Sequence, residues 1–176
     1  MSVSYIFFIN ATWYNFPNDK GGFIVKKVEE CIITNMVMVY DNEGNVLVQN
    51  RADINWPGIT FPGGHVDRKE SFVKSAIREV KEETGLDITD LRLCGVKQFT
   101  HSTRGYRYIV LYFKTNKFSG TLQSSDEGEI FWVNRKDLLS YKLAEDFEEM
   151  LKVFEDDELN ENYFYFENKA WQLENL

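Results

Sequence analysis

Apolar and polar positions along this chain fall into short blocks whose period changes. Cys31 to Tyr40 is rich in Ile, Val, Met and Thr and predicts a long strand. Asp41-Asn42-Glu43-Gly44-Asn45 supplies turn residues, and Val46 to Asn50 returns as its partner. Leu91 to Thr100, Tyr106 to Thr115 and Glu129 to Asn134 predict further strands, with a polar turn at His101 to Gly105. Tyr163 to Phe166 and Trp171 to Leu173, separated by Asn168-Lys169, predict a closing hairpin. Two stretches instead follow helical spacing, one leading up to Gly85 and one from Leu138 to Phe154. Strands interrupted by two helices predict an α/β fold, an α/β/α sandwich with a mixed central sheet.

The first helix carries the most chemical information. Ser71 is expected to cap its start and Gly85 to close it in the left-handed conformation that a side chain disfavours. Val73, Ile77 and Val80 form an apolar stripe expected to face the core. Glu79, Glu82 and Glu83 are then expected on roughly the opposite face. Neighbouring like charges on a helix cost about 0.2–0.5 kcal/mol per pair. A chain that accepts this cost gains hard oxygen ligands, which suit Mg²⁺ or Mn²⁺ rather than zinc or copper. A plain solvated face is the competing reading of Arg78 to Gly85 alone.

Wider spacing separates the two. Gly64 is followed after five residues by Glu70, and after seven more by Arg78-Glu79-Val80-Lys81-Glu82-Glu83-Thr84-Gly85-Leu86. This 23-residue stretch resembles the Nudix box at each defined position, so the chain is similar to the Nudix hydrolases. The resemblance implies a Nudix-type sandwich and metal-dependent hydrolysis of a nucleoside diphosphate linked to another group. It also implies Glu79, Glu82 and Glu83 as metal ligands, with the Gly64 carbonyl as a further one. By the same resemblance Arg78 orients a carboxylate, and Glu70 either pairs with Arg78 or touches the metal. The general base is expected at Glu82, or at Glu127 in the later cluster Asp126, Glu127 and Glu129. Trp56 and Phe61 flank the glycine turn and are candidates to stack on a base, core packing being the alternative. His65 is a candidate phosphate neighbour or a structural hydrogen bonder; His101, Arg104 and Arg107 sit in or beside a polar turn. Markers of the ADP-ribose and diadenosine-polyphosphate subfamilies are missing after the box, which leaves the MutT-like group, with 8-oxo-dGTP or another dNTP as candidate substrates. A nucleotide-sensing module without activity and a hydrolase of non-nucleotide diphosphates remain as alternatives.

Composition narrows the class without naming a substrate. The 176 residues suffice for one domain, with 43% hydrophobic and 27% charged residues, as in soluble globular proteins. Residues 27–176 are expected to form it, behind an aromatic extension over 1–26 that contains Tyr5, Phe7, Phe8, Trp13, Tyr14 and Phe16. A net charge of −8 argues against long nucleic acids as partners, yet permits small phosphorylated ones, since bound metal reverses the local potential. Cys31 and Cys94 are expected as reduced, buried thiols. The apolar run from Ser4 to Ala11 is too short to span a bilayer and lacks a basic leader, so the expectation is a cytoplasmic protein without membrane contact, its homodimerisation left open.

Overall fold

A computed structural model of the chain describes the backbone of residues 12–17 and 23–27 and all of residues 28–101 and 104–176. Strands β1 (Thr12–Pro17) and β2 (Phe23–Val28) pair antiparallel. The aromatic side chains of residues 1–26 lie outside the described residues.

The apolar block at Cys31 forms β3 (Cys31–Val39), at one edge of a five-stranded sheet. Beside it run β8 (Arg107–Thr115), β7 (Arg92–Thr100), β11 (Glu161–Glu167) and, at the far edge, β12 (Ala170–Asn175). The β3–β8 and β7–β11 pairs are parallel and the β7–β8 and β11–β12 pairs antiparallel, so the sheet is mixed. A three-stranded antiparallel sheet holds β4 (Asn45–Arg51) between β5 (Gly58–Thr60) and β10 (Gly128–Asn134). A ribbon of β6 (Leu86–Thr89) and β9 (Lys117–Gly120) completes the strands.

Helices cover both faces. Helix α2 (Phe147–Glu155) packs Phe147, Met150, Leu151 and Phe154 against Met36, Met38, Val48 and Phe61. Helix α1 (Phe72–Thr84) packs Ala76 and Val80 against Val37, Val39, Leu47 and Leu111. Successive strand residues point to opposite faces, so Val37 and Val39 serve one layer while Met36 and Met38 serve the other. That two-sided burial explains why residues 36–39 of β3 read as a continuous apolar run instead of an alternation. The arrangement is the expected α/β/α sandwich.

Several local expectations change. The helix predicted over Leu138 to Phe154 is a 3-10 turn at Leu138–Ser140 followed by α2. Between them the chain is drawn straight by β5: Ile59 N–H donates to the Lys142 carbonyl and Ala144 N–H to the Ile59 carbonyl. Ser71 precedes α1, but its side chain makes no capping bond; Gly85 does adopt the left-handed closing conformation, with φ 75°. Cys31 is exposed, because it sits at the open start of β3, and Cys94 is half-buried; both are free thiols. Among the described residues no helix is long and apolar enough to cross a membrane.

Candidate active site

The loop Pro62–Gly64 is laced to β3, so the box begins on a rigid support. Val37 N–H donates to the Pro62 carbonyl and Asn35 N–H to the Gly64 carbonyl, each at 2.8 Å. This closeness requires glycine. Gly63 has φ 151°, and a Cβ there would lie 2.3 Å from the Asn35 carbonyl oxygen. At Gly64 a Cβ would lie 2.5 Å from the Glu79 carboxylate, so that carboxylate fills the space a side chain would take.

Helix α1 buries Val80 and packs Ile77 against the core, as its hydropathy predicts. Its buried face extends past that stripe onto the box carboxylates and leaves Val73 out. Ser75, Ala76, Glu79, Val80, Glu83 and Thr84 are buried, whereas Val73 is 43% exposed. Two of the three box carboxylates therefore point inward, toward the glycine loop, and only Glu82 is exposed. Burial of carboxylates is tolerated because specific donors meet them. Glu83, 2% exposed, accepts the Gly63 N–H at 2.9 Å. Arg78 supplies most of the rest. Its Nε and Nη2 form a bidentate pair with Glu70, both bonds 2.9 Å. Its Nη1 donates to Glu79 at 2.8 Å and to Glu82 at 3.0 Å, and Nη2 also reaches the His65 carbonyl at 3.1 Å. The guanidinium holds the Glu70 carboxyl down to about 2, and these carboxylates raise Arg78 well above its ordinary value.

The second oxygen of Glu83, Oε1, is buried and finds no N–H or O–H donor. Glu127 stands beside it, and two carboxyls in contact can hydrogen-bond only by sharing a proton. Burial first, and then Glu127, push the Glu83 carboxyl up to about 8. Burial also raises Glu79, against the opposing pull of Arg78. Four acidic side chains thus gather around one glycine turn, with one buried oxygen lacking a donor. Hard oxygen donors of this kind fit Mg²⁺ or Mn²⁺. Among the described residues no three acidic, histidine or cysteine side chains yet stand at coordinating spacing, since Arg78 draws Glu79 and Glu82 to itself.

A cavity of about 820 Å³ opens from this cluster, a volume in the range of small-molecule sites. Gly63, Gly64, His65 and Glu127 line it, as do Trp56 and Phe61. These two aromatics differ in character. Trp56 is half-buried, donates Nε1–H to the Glu145 carbonyl at 3.1 Å and carries the Arg51 guanidinium over its ring at 5.1 Å. Phe61 is 2% exposed and packs edge-on against Phe147 and Phe154, with centroids at 4.9 and 5.1 Å. It is a core residue that borders the cavity, in keeping with the core-packing alternative for this position. His65 is exposed and engages its backbone carbonyl with Ser75 and Arg78. Arg107 pairs with Glu29, and neither it, Arg104 nor His101 lines the cavity.

Two cavity residues escape sequence reasoning. Arg51 ends β4 beside Gly128, the residue after Glu127. Lys97 lies within β7, 7% exposed, paired with Asp146 at 3.2 Å; burial lowers its pKa and Asp146 opposes that. Lys97 sits beside Gln98 in a strand that also carries Arg92 and Thr100, so no local signal marks it.

The Nudix domain family matches residues 32–155. The chain belongs to the Nudix family. It is an enzyme of that family, a Nudix hydrolase. Among relatives of this Nudix chain, the uncharacterized Nudix hydrolase YvcI of Bacillus subtilis is 28% identical over 116 residues, covering 64% of this chain and 71% of YvcI. The CTP pyrophosphohydrolase of Escherichia coli is 29% identical over 110 residues, covering 60% and 78%. The crystal structure of the MutT protein from Bacillus halodurans superposes with a TM-score of 0.67 at 21% identity, covering 81% of this chain and 97% of that one. At that identity the likeness establishes the fold.

Proposed function

We propose that this Nudix hydrolase is a Mg²⁺-dependent pyrophosphohydrolase of nucleoside di- or triphosphate-type substrates, in the MutT manner, with 8-oxo-dGTP or another dNTP as its substrate. The observation that carries this reading is the buried, donor-less Glu83 Oε1, set beside Glu127 and Glu79 at the glycine-turn end of a cavity of nucleotide size. A relative that acts on CTP supports a nucleotide class.

Glu79, Glu82 and Glu83, with the Gly64 carbonyl, would hold Mg²⁺, or Mn²⁺ in its place. The ion supplies charge neutralisation on the diphosphate and a lower pKa for an attacking water. The chain's own contribution is positioning. Arg78 fixes Glu79 and Glu82 in direction, and Glu70 fixes Arg78. Glu127 serves as the general base, because its carboxyl meets Glu83 and lines the cavity. Glu82 is the weaker candidate for that proton, being held by Arg78. The working domain spans residues 27–176, with 1–26 outside it, in a cytoplasmic protein whose partner is its small-molecule substrate. Purified protein incubated with 8-oxo-dGTP, the ordinary dNTPs, ADP-ribose and diadenosine polyphosphates, with and without Mg²⁺, tests this. Metal-dependent release of pyrophosphate or phosphate supports it; silence across the panel with metal binding intact favours a nucleotide sensor.

A further inference from the structure

The family match ends at residue 155, yet the cavity wall continues past it into the C-terminal hairpin of β11 and β12. Phe164 and Trp171 come from that hairpin, and between them and β8 stand Lys97 and Phe99 of β7. The Lys97 ammonium lies 4.4 Å from the Phe164 ring centroid and 5.9 Å from that of Phe99. Phe99 in turn stacks on Tyr108 at 5.2 Å and meets Trp171 edge-on at 6.1 Å. One cation is therefore set among flat apolar rings at the wall of a cavity.

We propose that Lys97, with Asp146 and the hairpin residues Phe164 and Trp171, selects the base of the nucleotide, taking bases that carry a carbonyl oxygen beside a ring N–H: guanine, uracil or thymine. The inference rests on the nucleotide reading above and names the substrate class within it.

The donor inventory supports this assignment. An ammonium has three hydrogens, and among the described residues Asp146 Oδ2 is its one hydrogen-bond acceptor, with Glu145 a more distant negative neighbour. Burying a cation this deeply is costly unless something uses its remaining donors. Asp146 leaves Oδ1 free to accept, so the pair offers a charged donor next to a charged acceptor. A carbonyl beside a ring N–H is the complement of that pair, and donation from a basic side chain to the guanine O6 carbonyl is a common base-specific contact. Distance fits as well. In the sheet, β8 alone separates β7 from β3, to which the Gly64 loop is laced. Two strand spacings are roughly 10 Å, about the reach from a base edge to the first phosphate of a nucleotide. The rings of Phe99, Phe164 and Trp171 supply the stacking surface, which tolerates any base, and Lys97 supplies the choice.

The test compares GTP, UTP, ATP and CTP as substrates with Mg²⁺, and GMP, UMP, AMP and CMP as ligands by calorimetry without metal. Wild type, Lys97→Met and Trp171→Ala are used, each checked by thermal melting. Wild type should favour guanine or uracil over adenine and cytosine by about tenfold or more in kcat/KM and in monophosphate affinity. Lys97→Met should bring the four bases to within about twofold, and Trp171→Ala should weaken all four alike. A wild-type preference for adenine or cytosine overturns the proposal. So does an equal change across bases in Lys97→Met, which would make Lys97–Asp146 a brace between β7 and α2. No effect of Trp171→Ala would remove the hairpin from the site. The two readings fail separately: monophosphate binding with the stated preference but no turnover defeats hydrolysis alone, and turnover without base preference defeats this proposal alone.

Discussion

Replacing Glu83 with Gln should remove a pH dependence from the stability of the metal-free protein. Burial, with the Glu127 carboxyl beside it, pushes Glu83 up to about 8 from an ordinary 4.5. Between those values the folded chain keeps a proton on Glu83 that the unfolded chain has lost, so stability falls as pH rises. The penalty is absent below about 4.5, grows through the window and is at full size above about 8. The slope is about 1.4 kcal/mol per pH unit, flattening near the upper value, so the step from pH 6 to pH 8 costs roughly 2 kcal/mol. For a chain of this size that lowers Tm by about 4–8 °C. Glu70 adds almost nothing between pH 6 and pH 8: Arg78 holds its carboxyl down to about 2 from an ordinary 4.5, so it is ionised in both states over that range. Glutamine keeps an oxygen for the Gly63 N–H but has no proton to lose. Thermal melts in chelator at pH 6, 7 and 8 should show a Tm that falls for wild type more steeply than for Glu83→Gln. Equal slopes in the two proteins would refute the buried, proton-holding carboxyl.

Three further substitutions probe the supports of the site. Arg78→Lys loses the bidentate grip on Glu70, and kcat should fall about 10–100-fold with the melting curve little changed; wild-type kcat would reduce Arg78 to a brace. Gly64→Ala drives a methyl into the Glu79 carboxylate, so Mn²⁺ affinity measured by titration should fall about tenfold or more, and unchanged affinity would remove Glu79 from the metal site. Phe61→Ala empties the space between Phe147 and Phe154 and should cost about 3–5 kcal/mol in urea unfolding; a loss below about 1 kcal/mol would contradict its core role.

Sequence spacing found the box because its chemistry is local: Glu70, Arg78 and the three glutamates sit within one loop and one helix. It placed Val80 and Ile77 correctly toward the core but misjudged how far the buried face extends. Hydropathy ranks Val73 above Glu83 as a core residue, yet the Gly63 N–H and the Arg78 guanidinium draw the carboxylates inward and leave Val73 in solvent. Those partners lie outside the helix period, in the preceding loop and on the helix itself, so the pattern of apolar positions carries no trace of them. The overlong second helix has a similar origin. Residues 141–144 carry helical spacing, but hydrogen bonds to Ile59, more than 80 positions earlier, hold them extended. Strands of three or four residues such as β5, β6 and β9 are too short to show a period. Glu127 stood out only as one of three acidic residues, and the β4–β10 pairing that carries it to Glu83 is a long-range fact. Lys97 and Asp146 meet across 49 positions, a pairing no local window contains.

The most direct measurement is Mg²⁺-dependent turnover of the best nucleotide by wild type and by Glu83→Gln, at saturating substrate and with folding verified. Wild type should require the metal, and Glu83→Gln should lose on the order of a hundredfold or more in kcat. Turnover undiminished by chelator, or a Glu83→Gln variant as fast as wild type, would contradict a metal-dependent site built on the box carboxylates.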